Sequence, residues 1–164
     1  VAEKAGKVIA QVFGSRMKGP DLVSKVVADG RFGRKNGRGF YLYNDGKKGG
    51  VDHSIYSLIP HGHDRKPADL TEIADRYLYA FVNESALCLQ ENILRNPRDG
   101  DVGGVMGIGF PPILGGPFYY ADKVGLDKVV KNLHKLAEKY GERFQPAQIL
   151  IDMAQSGKTF FPKK

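Results

Sequence analysis

The sequence predicts an all-α domain carrying one short extended arm or hairpin, and three observations support that expectation. Apolar residues recur at helical spacing over much of the chain, above all between Asp69 and Arg95. Only Phe40 to Tyr43 has strand-like composition, close to the tight-turn pair Asn36-Gly37. Strands and helices nowhere alternate, which argues against a parallel sheet. With 164 residues, 41% of them apolar, the chain is long enough to bury one real core.

Val1, Ala5, Val8, Ile9, Val12 and Phe13 mark one face of a first helix. No capping residue precedes them, and the chain starts without Met and in mid-helix, as a fragment of something longer would. Gly19-Pro20-Asp21 punctuates that helix. Leu22, Val23, Val26 and Val27 then give a second, which stops at Gly30. Arg31 to Tyr43 reads as an extended segment or small hairpin. Residues 44–50 and 60–67 are polar and read as linker, with the apolar patch Ile55 to Ile59 between them.

The longest helix opens at Asp69, which with Glu72 forms a capping-box pattern, and is expected to run to about Arg95 ahead of Pro97. Its apolar positions, among them Ile73, Tyr77, Phe81, Val82, Ala86 and Leu89, cover more than one stripe, so it must be buried on several sides. A short helix follows over Asp99 to Gly107. After a glycine and proline loop at residues 109–117 come helices over Phe118–Val124, Leu126–Tyr140 and Ala147–Gln155.

The formal charge of +7 raises the question of a polyanionic partner. The basic residues are spread out, however, and the densest cluster, Arg31, Arg34, Lys35 and Arg38, is interrupted by glycines, so the reading is of no nucleic-acid partner. The charge suits either the phosphates of a ligand or plain solubility, and the sequence does not choose. Cys88, the one cysteine, lies in an apolar periodic run and reads as a buried free thiol in a reducing, cytoplasmic setting. No stretch has the roughly 18 consecutive apolar residues of a membrane span, and the first residues lack the apolar core of a secretory signal.

Few residues invite a chemical role. Gly103 to Gly109 is glycine-rich, but it is not G-x-G-x-x-G and no strand precedes it, so its glycines read as close-packing positions, the alternative being a loop whose backbone also touches a ligand. Asn83-Glu84 sits in the middle of an apolar helix, where an amide and a carboxylate need partners: either main-chain groups at nearby helix ends and turns, or a polar ligand. His61-Gly-His63-Asp64 has no further acidic or cysteine partner at metal-ligand spacing, so no metal is expected there. His134 reads as solvent-facing. Asp152 has no histidine or serine partner in sequence, so no hydrolytic triad can be drawn.

Three ordered motifs are recognisable. Val82-Asn-Glu-Ser-Ala-Leu-Cys-Leu-Gln-Glu91, Arg98-Asp-Gly-Asp-Val102 and Gly107-Ile-Gly-Phe-Pro-Pro-Ile-Leu-Gly-Gly-Pro-Phe118 closely resemble the last helical repeat of fatty acid oxidation alpha subunits, bacterial and mitochondrial. Arg34-Lys-Asn-Gly-Arg-Gly-Phe-Tyr-Leu-Tyr43 resembles the junction between their two helical repeats. The resemblance covers nearly the whole chain. It implies a helical domain of the 3-hydroxyacyl-CoA dehydrogenase C-terminal type, which is 6-phosphogluconate dehydrogenase C-terminal-like. It also implies three segments: 1–30 as the tail of the first repeat, 31–66 as arm and linker, and 67–164 as the second repeat.

The resemblance further implies a bacterial, multifunctional parent with an enoyl-CoA hydratase/isomerase region and an L-3-hydroxyacyl-CoA dehydrogenase that passes a hydride to NAD. The family's catalytic His and Glu and its NAD fingerprint lie in a Rossmann domain outside this sequence, so no catalytic residue and no bound NAD are expected here. Two positions carry over by motif as substrate-binding candidates. Asn83 stands where the first repeat has its substrate Asn, and Met106 stands where relatives place an aromatic at the substrate pocket. Methionine departs from that pattern: it can line an acyl or pantetheine channel but offers no hydroxyl and no stacking face.

Single-repeat relatives dimerise through this domain, which implies that the second repeat stands in for a partner subunit and buttresses the first. Expected partners are therefore the Rossmann domain and first repeat of the parent, acyl-CoA, and the thiolase β subunit. A pure thiolase-docking module, using Tyr119, Tyr120, Phe160 and Phe161 and touching no substrate, is the alternative. With the first repeat largely absent, the chain is expected to self-associate.

Overall fold

The computed structural model describes residues 2–64 and 67–162; Val1, with which the first helix is expected to begin, and Arg65, Lys66, Lys163 and Lys164 lie outside the described residues. The chain divides into two compact units, 1–67 and 68–164. Both are built of helices, with one two-stranded antiparallel hairpin in the first.

In the N-terminal unit, α1 (Ala2–Phe13) buries none of its residues, and Val8, Ile9, Val12 and Phe13 stand exposed. Following a 3-10 turn at Gly14–Met17, α2 (Leu22–Ala28) buries Val26 and ends just ahead of Gly30, which takes φ 71°. It packs against the 3-10 turn His53–Leu58, whose Ile55 is buried. Between them runs the hairpin of β1 (Tyr41–Asn44) and β2 (Lys47–Val51), with Tyr43 opposite Lys48 and Asn44 opposite Lys47.

Part of the expected linker is therefore a turn and a strand. Asp45 and Gly46 both take positive φ, 48° and 74°, the two-residue turn whose twist suits a hairpin. β2 is exposed along its whole length and carries no apolar alternation. What holds it is the main-chain ladder, with Lys48 Nζ 3.7 Å above the Tyr41 ring. Asn36-Gly37 also turns the chain, between the bridged residues Gly33 and Arg38.

Charge does in this unit what apolar burial does in the other. Arg31 is only 3% exposed. Its guanidinium donates to Asp29 (2.7 Å), Asp52 (2.7 Å), the Gly39 carbonyl (2.8 Å) and Ser54 Oγ (2.5 Å). Arg38 joins the same acids, 3.1 Å from Asp52 and 3.5 Å from Asp29. Two of the four clustered basic residues are thus neutralised within their own unit. The Ser54 hydroxyl, then Arg38 and Arg31, hold the Asp52 carboxyl far below the usual carboxylate range.

In the C-terminal unit, α3 (Leu70–Gln90) is capped by Asp69, whose side chain accepts the N–H groups of Thr71 and Glu72. Glu72 turns its carboxylate to a distant part of the chain, taking Lys139 Nζ at 2.5 Å and the Tyr140 hydroxyl. α3 stops at Gln90, short of the expected Arg95. Asn92 takes a left-handed φ of 59°, and the N–H groups of Ile93 and Leu94 both close on the Cys88 carbonyl. Asn96 then caps α4 (Pro97–Ile108) through the Asp99 N–H.

α5 (Pro117–Val124), α6 (Leu126–Tyr140) and α7 (Gln148–Gln155) complete the unit. Val129, Leu133 and Leu136 of α6, four and three residues apart, meet Tyr79, Val82 and Ala86 of α3 and Leu150 of α7 in one core. Asp122 accepts the N–H groups of Phe160 and Phe161, which lays the last residues on α5. No helix among the described residues is long and apolar enough to cross a membrane.

Because Asp52 titrates lower in the folded unit than in an unfolded chain, its contribution is present above the unfolded value of about 4 and is lost as pH falls below it. Amide protection in residues 29–54, read by hydrogen exchange, is expected to fall in acid before that of α3 and α6. In Asp52→Asn protection should be lower at neutral pH and flatter with pH.

Candidate functional site

A groove runs between α3 and α4 of the C-terminal unit. It encloses about 390 Å³ and is walled by Phe81, Cys88, Leu94 and Ile108, with Gly100, Gly103 and Gly104 as its floor. Its polar members are Glu84 and Ser85, and Ser85 returns its hydroxyl to the Phe81 carbonyl one turn earlier. Cys88, whose apolar run predicts a buried thiol, is instead part-exposed on this wall and forms no disulfide.

The glycines of α4 have different reasons. A Cβ on Gly100 would lie 2.3 Å from the Phe118 ring and 2.9 Å from Leu94, and one on Gly104 would press on Pro117 at 3.1 Å. These two let α4 approach α5 closely. At Gly103 a Cβ meets nothing within 4 Å, because that face opens on the groove.

Asp101, which sequence reasoning misses, fixes the α4–α5 corner. Only 7% exposed, its carboxylate accepts the N–H groups of Phe118 at 2.7 Å and Tyr119 at 3.1 Å, capping α5 from a different helix. Burial pushes the Asp101 carboxyl up, and the two main-chain donors oppose that shift. Burial likewise pushes the hydroxyls of Tyr79 and Tyr120 up. Asn132 Nδ2 donates to the Tyr79 oxygen at 2.8 Å, which suits a structural polar pair.

The structure does not bring the two expected substrate residues together. Asn83 is 2% exposed and faces away from the groove lining: its Nδ2 donates to the Gln145 carbonyl, and its Oδ1 accepts the Ala147 N–H, both at 2.8 Å. Of the two partners open to it on sequence grounds, it has taken main-chain groups at a helix start. Met106 is 82% exposed on the outer face of α4, one turn from exposed Val102, and is not part of the groove wall.

Other candidates resolve simply. His61 Nδ1 lies 3.3 Å from Asp64 and His63 Nε2 lies 3.4 Å from Ser57 Oγ; no three metal-ligating groups come together among the described residues. Gly103 to Gly109 lies within α4 and its cap, so it makes no strand-to-helix phosphate loop. Of the four aromatics considered for docking, Tyr119 is exposed, Tyr120 and Phe160 pack against the core, and Phe161 is half-buried.

Residues 73–160 match the family model described as 3-hydroxyacyl-CoA dehydrogenase, C-terminal domain. Among curated relatives, a fatty acid oxidation complex subunit alpha of Shewanella amazonensis is 46% identical over 166 residues. Proteins of the same name from Idiomarina loihiensis and Vibrio vulnificus are 47% and 44% identical. Each alignment takes in 98% of this chain and 23% of the relative, so the chain spans about a quarter of the length of the relatives it matches.

Asn83→Ala leaves a part-buried carbonyl and a buried N–H without partners, and is expected to cost about 1–3 kcal/mol in urea unfolding of the C-terminal unit. Gly100→Ala should cost about 1–3 kcal/mol through its clash with Phe118. Gly103→Ala is expected to be neutral or to stabilise by up to about 1 kcal/mol, since it removes a helix-interior glycine without a clash.

Proposed function

The chain belongs to the 3-hydroxyacyl-CoA dehydrogenase C-terminal domain family, and from that premise we propose that it is the C-terminal portion of an L-3-hydroxyacyl-CoA dehydrogenase of fatty acid β-oxidation. In this role it supports the acyl-CoA site and subunit packing and does not catalyse alone. Residues 1–30 are the tail of the first repeat, 31–66 an arm, and 67–164 the second repeat. The observation that carries the reading is the outer face of α4, where Val102 and Met106 stand exposed one turn apart, with Ile113 exposed in the 3-10 turn Pro112–Leu114 that follows. An isolated domain gains nothing from such a surface; one built to lie against another domain does.

The buttressing role rests on how position governs rate, since a small displacement of reacting groups removes much of the acceleration. NAD is then bound and reduced elsewhere in the parent. The helical setting of Gly103 to Gly109 supports that assignment, because a dinucleotide cradle needs a strand ahead of its glycines. Of the substrate candidates we retain Met106, whose exposed, adaptable side chain suits an acyl or pantetheine channel, and read Asn83 as a brace for α7. The docking of a thiolase β subunit has less support, since three of its four aromatics are at least partly packed away.

The test is NADH oxidation with acetoacetyl-CoA by this chain, by a separately produced Rossmann-plus-first-repeat piece of the same parent, and by their mixture, with folding checked by circular dichroism. Activity restored only in the mixture is the expected result. Full activity of the other piece alone would favour the docking reading, and activity of this chain alone would overturn the assignment. Alone and concentrated, the chain is expected to sediment as more than a monomer, and a strictly monomeric mass would count against an uncovered packing face.

A further inference from the structure

We infer that Asn36-Gly37 is a self-modifying site of the N-terminal unit, in which the Asn36 amide is converted to a carboxyl group when the Arg31 ion-pair network opens, and whose conversion prevents that network from closing as before. The chemistry needs only water. The Gly37 main-chain nitrogen attacks Cγ of Asn36, the Cγ–Nδ2 bond breaks, and the proton from the Gly37 N–H leaves with the departing ammonia. Water then opens the five-membered imide at one of its two carbonyls, giving either aspartate or the iso form, in which the chain runs through the side-chain carbon. No electrons are transferred.

Three features favour the reaction. Gly37 has no Cβ to obstruct attack. Asn36 is exposed to solvent. Arg34, Lys35 and Arg38 surround the attacking nitrogen in sequence, and positive charge favours its deprotonated form.

Geometry holds the reaction back. Asn36 Oδ1 accepts the Phe32 N–H at 3.1 Å, and Nδ2 donates to the Gly30 carbonyl at 2.6 Å. The loop is pinned by Gly33 N–H to the Arg38 carbonyl (2.8 Å) and Tyr43 N–H to the Gly37 carbonyl (2.7 Å). Both side-chain bonds must break before Cγ can meet the Gly37 nitrogen.

These restraints are tied to the ion pairs by the chain itself. Arg31 lies between Gly30 and Phe32, the two residues that Asn36 grips, and its side chain is anchored to Asp29, Asp52 and Ser54. Loop opening and network opening are one event, and the folded chain reacts in proportion to its open fraction. After conversion, a carboxylate oxygen faces the Gly30 carbonyl where an N–H stood. In the iso form the segment bridged between Gly33 and Arg38 gains an extra backbone carbon. Neither product can restore the original grip.

The test tracks the peptide carrying residues 36 and 37 by mass spectrometry in mildly alkaline buffer, for the native chain, the same chain unfolded in urea, and the variants Asp52→Asn and Ser54→Ala. Native conversion is expected to be several-fold slower than in urea, and several-fold faster in the variants than in the native chain. Ser54→Ala is the milder change, should Asp52→Asn unfold the unit. Converted chain should show reduced amide protection across residues 29–54. Conversion as fast in the native chain as in urea, no native conversion while the unfolded chain is consumed, or rates unmoved by Ser54→Ala would each overturn the inference.

Discussion

Burying an amide among the apolar side chains of α3 sets a condition that the C-terminal unit has to meet. Tyr79, Val82 and Ala86 can be covered by any well-shaped apolar surface, but Asn83 between them requires one donor and one acceptor at fixed positions. The chain supplies both from the main chain of residues 145–147, which must therefore arrive at mid-α3 in a single register. That register sets where α7 begins, and with it where Leu150 enters the core against α6. A purely apolar α3 would leave α7 free to slide; the amide fixes it.

The N-terminal unit reaches order by another route. Val26 and Ile55 are too little to hold a hairpin, two helices and a 3-10 turn together. Arg31 compensates by offering its guanidinium to acids and a carbonyl drawn from before, within and after the hairpin segment. Buried ion pairs are weak evidence of net stability but good determinants of geometry, because a charge left without its partner is costly. This explains how a largely exposed β2 keeps one pairing with β1.

Sequence makes the helices legible because their ends are written in chemistry that acts locally: Asp69 ahead of α3, Asn96-Pro97 ahead of α4, Gly109, Gly125 and Gly141 at later ends. It misleads where the signal and the cause part company. Ile93 and Leu94 continue the apolar period of α3, yet both lie in a turn, Ile93 exposed and only Leu94 on the groove wall, since a left-handed Asn92 ends the helix whichever side chains come after it. β2 is hidden because main-chain pairing needs no apolar pattern, although Asp45-Gly46 is a readable signal for its turn. For the candidate site, the duplicate Asn83 is visible but its partners, some sixty residues away, are not. The role of Asp101 leaves no local trace, because the helix it caps begins sixteen residues later.

That long-distance cap carries an evolutionary consequence. Gly116 sits at φ 117°, and a Cβ there would fall 2.4 Å from the Asp101 side chain. A larger residue at 116 would displace the carboxylate, and without the carboxylate the first N–H groups of α5 would lose their acceptor. The two positions can drift only as a pair, through an intermediate worse than either end. Lineages of this domain should therefore keep Asp101 and Gly116 together or have lost both, and a chain carrying one without the other should show a compensating change at the start of α5.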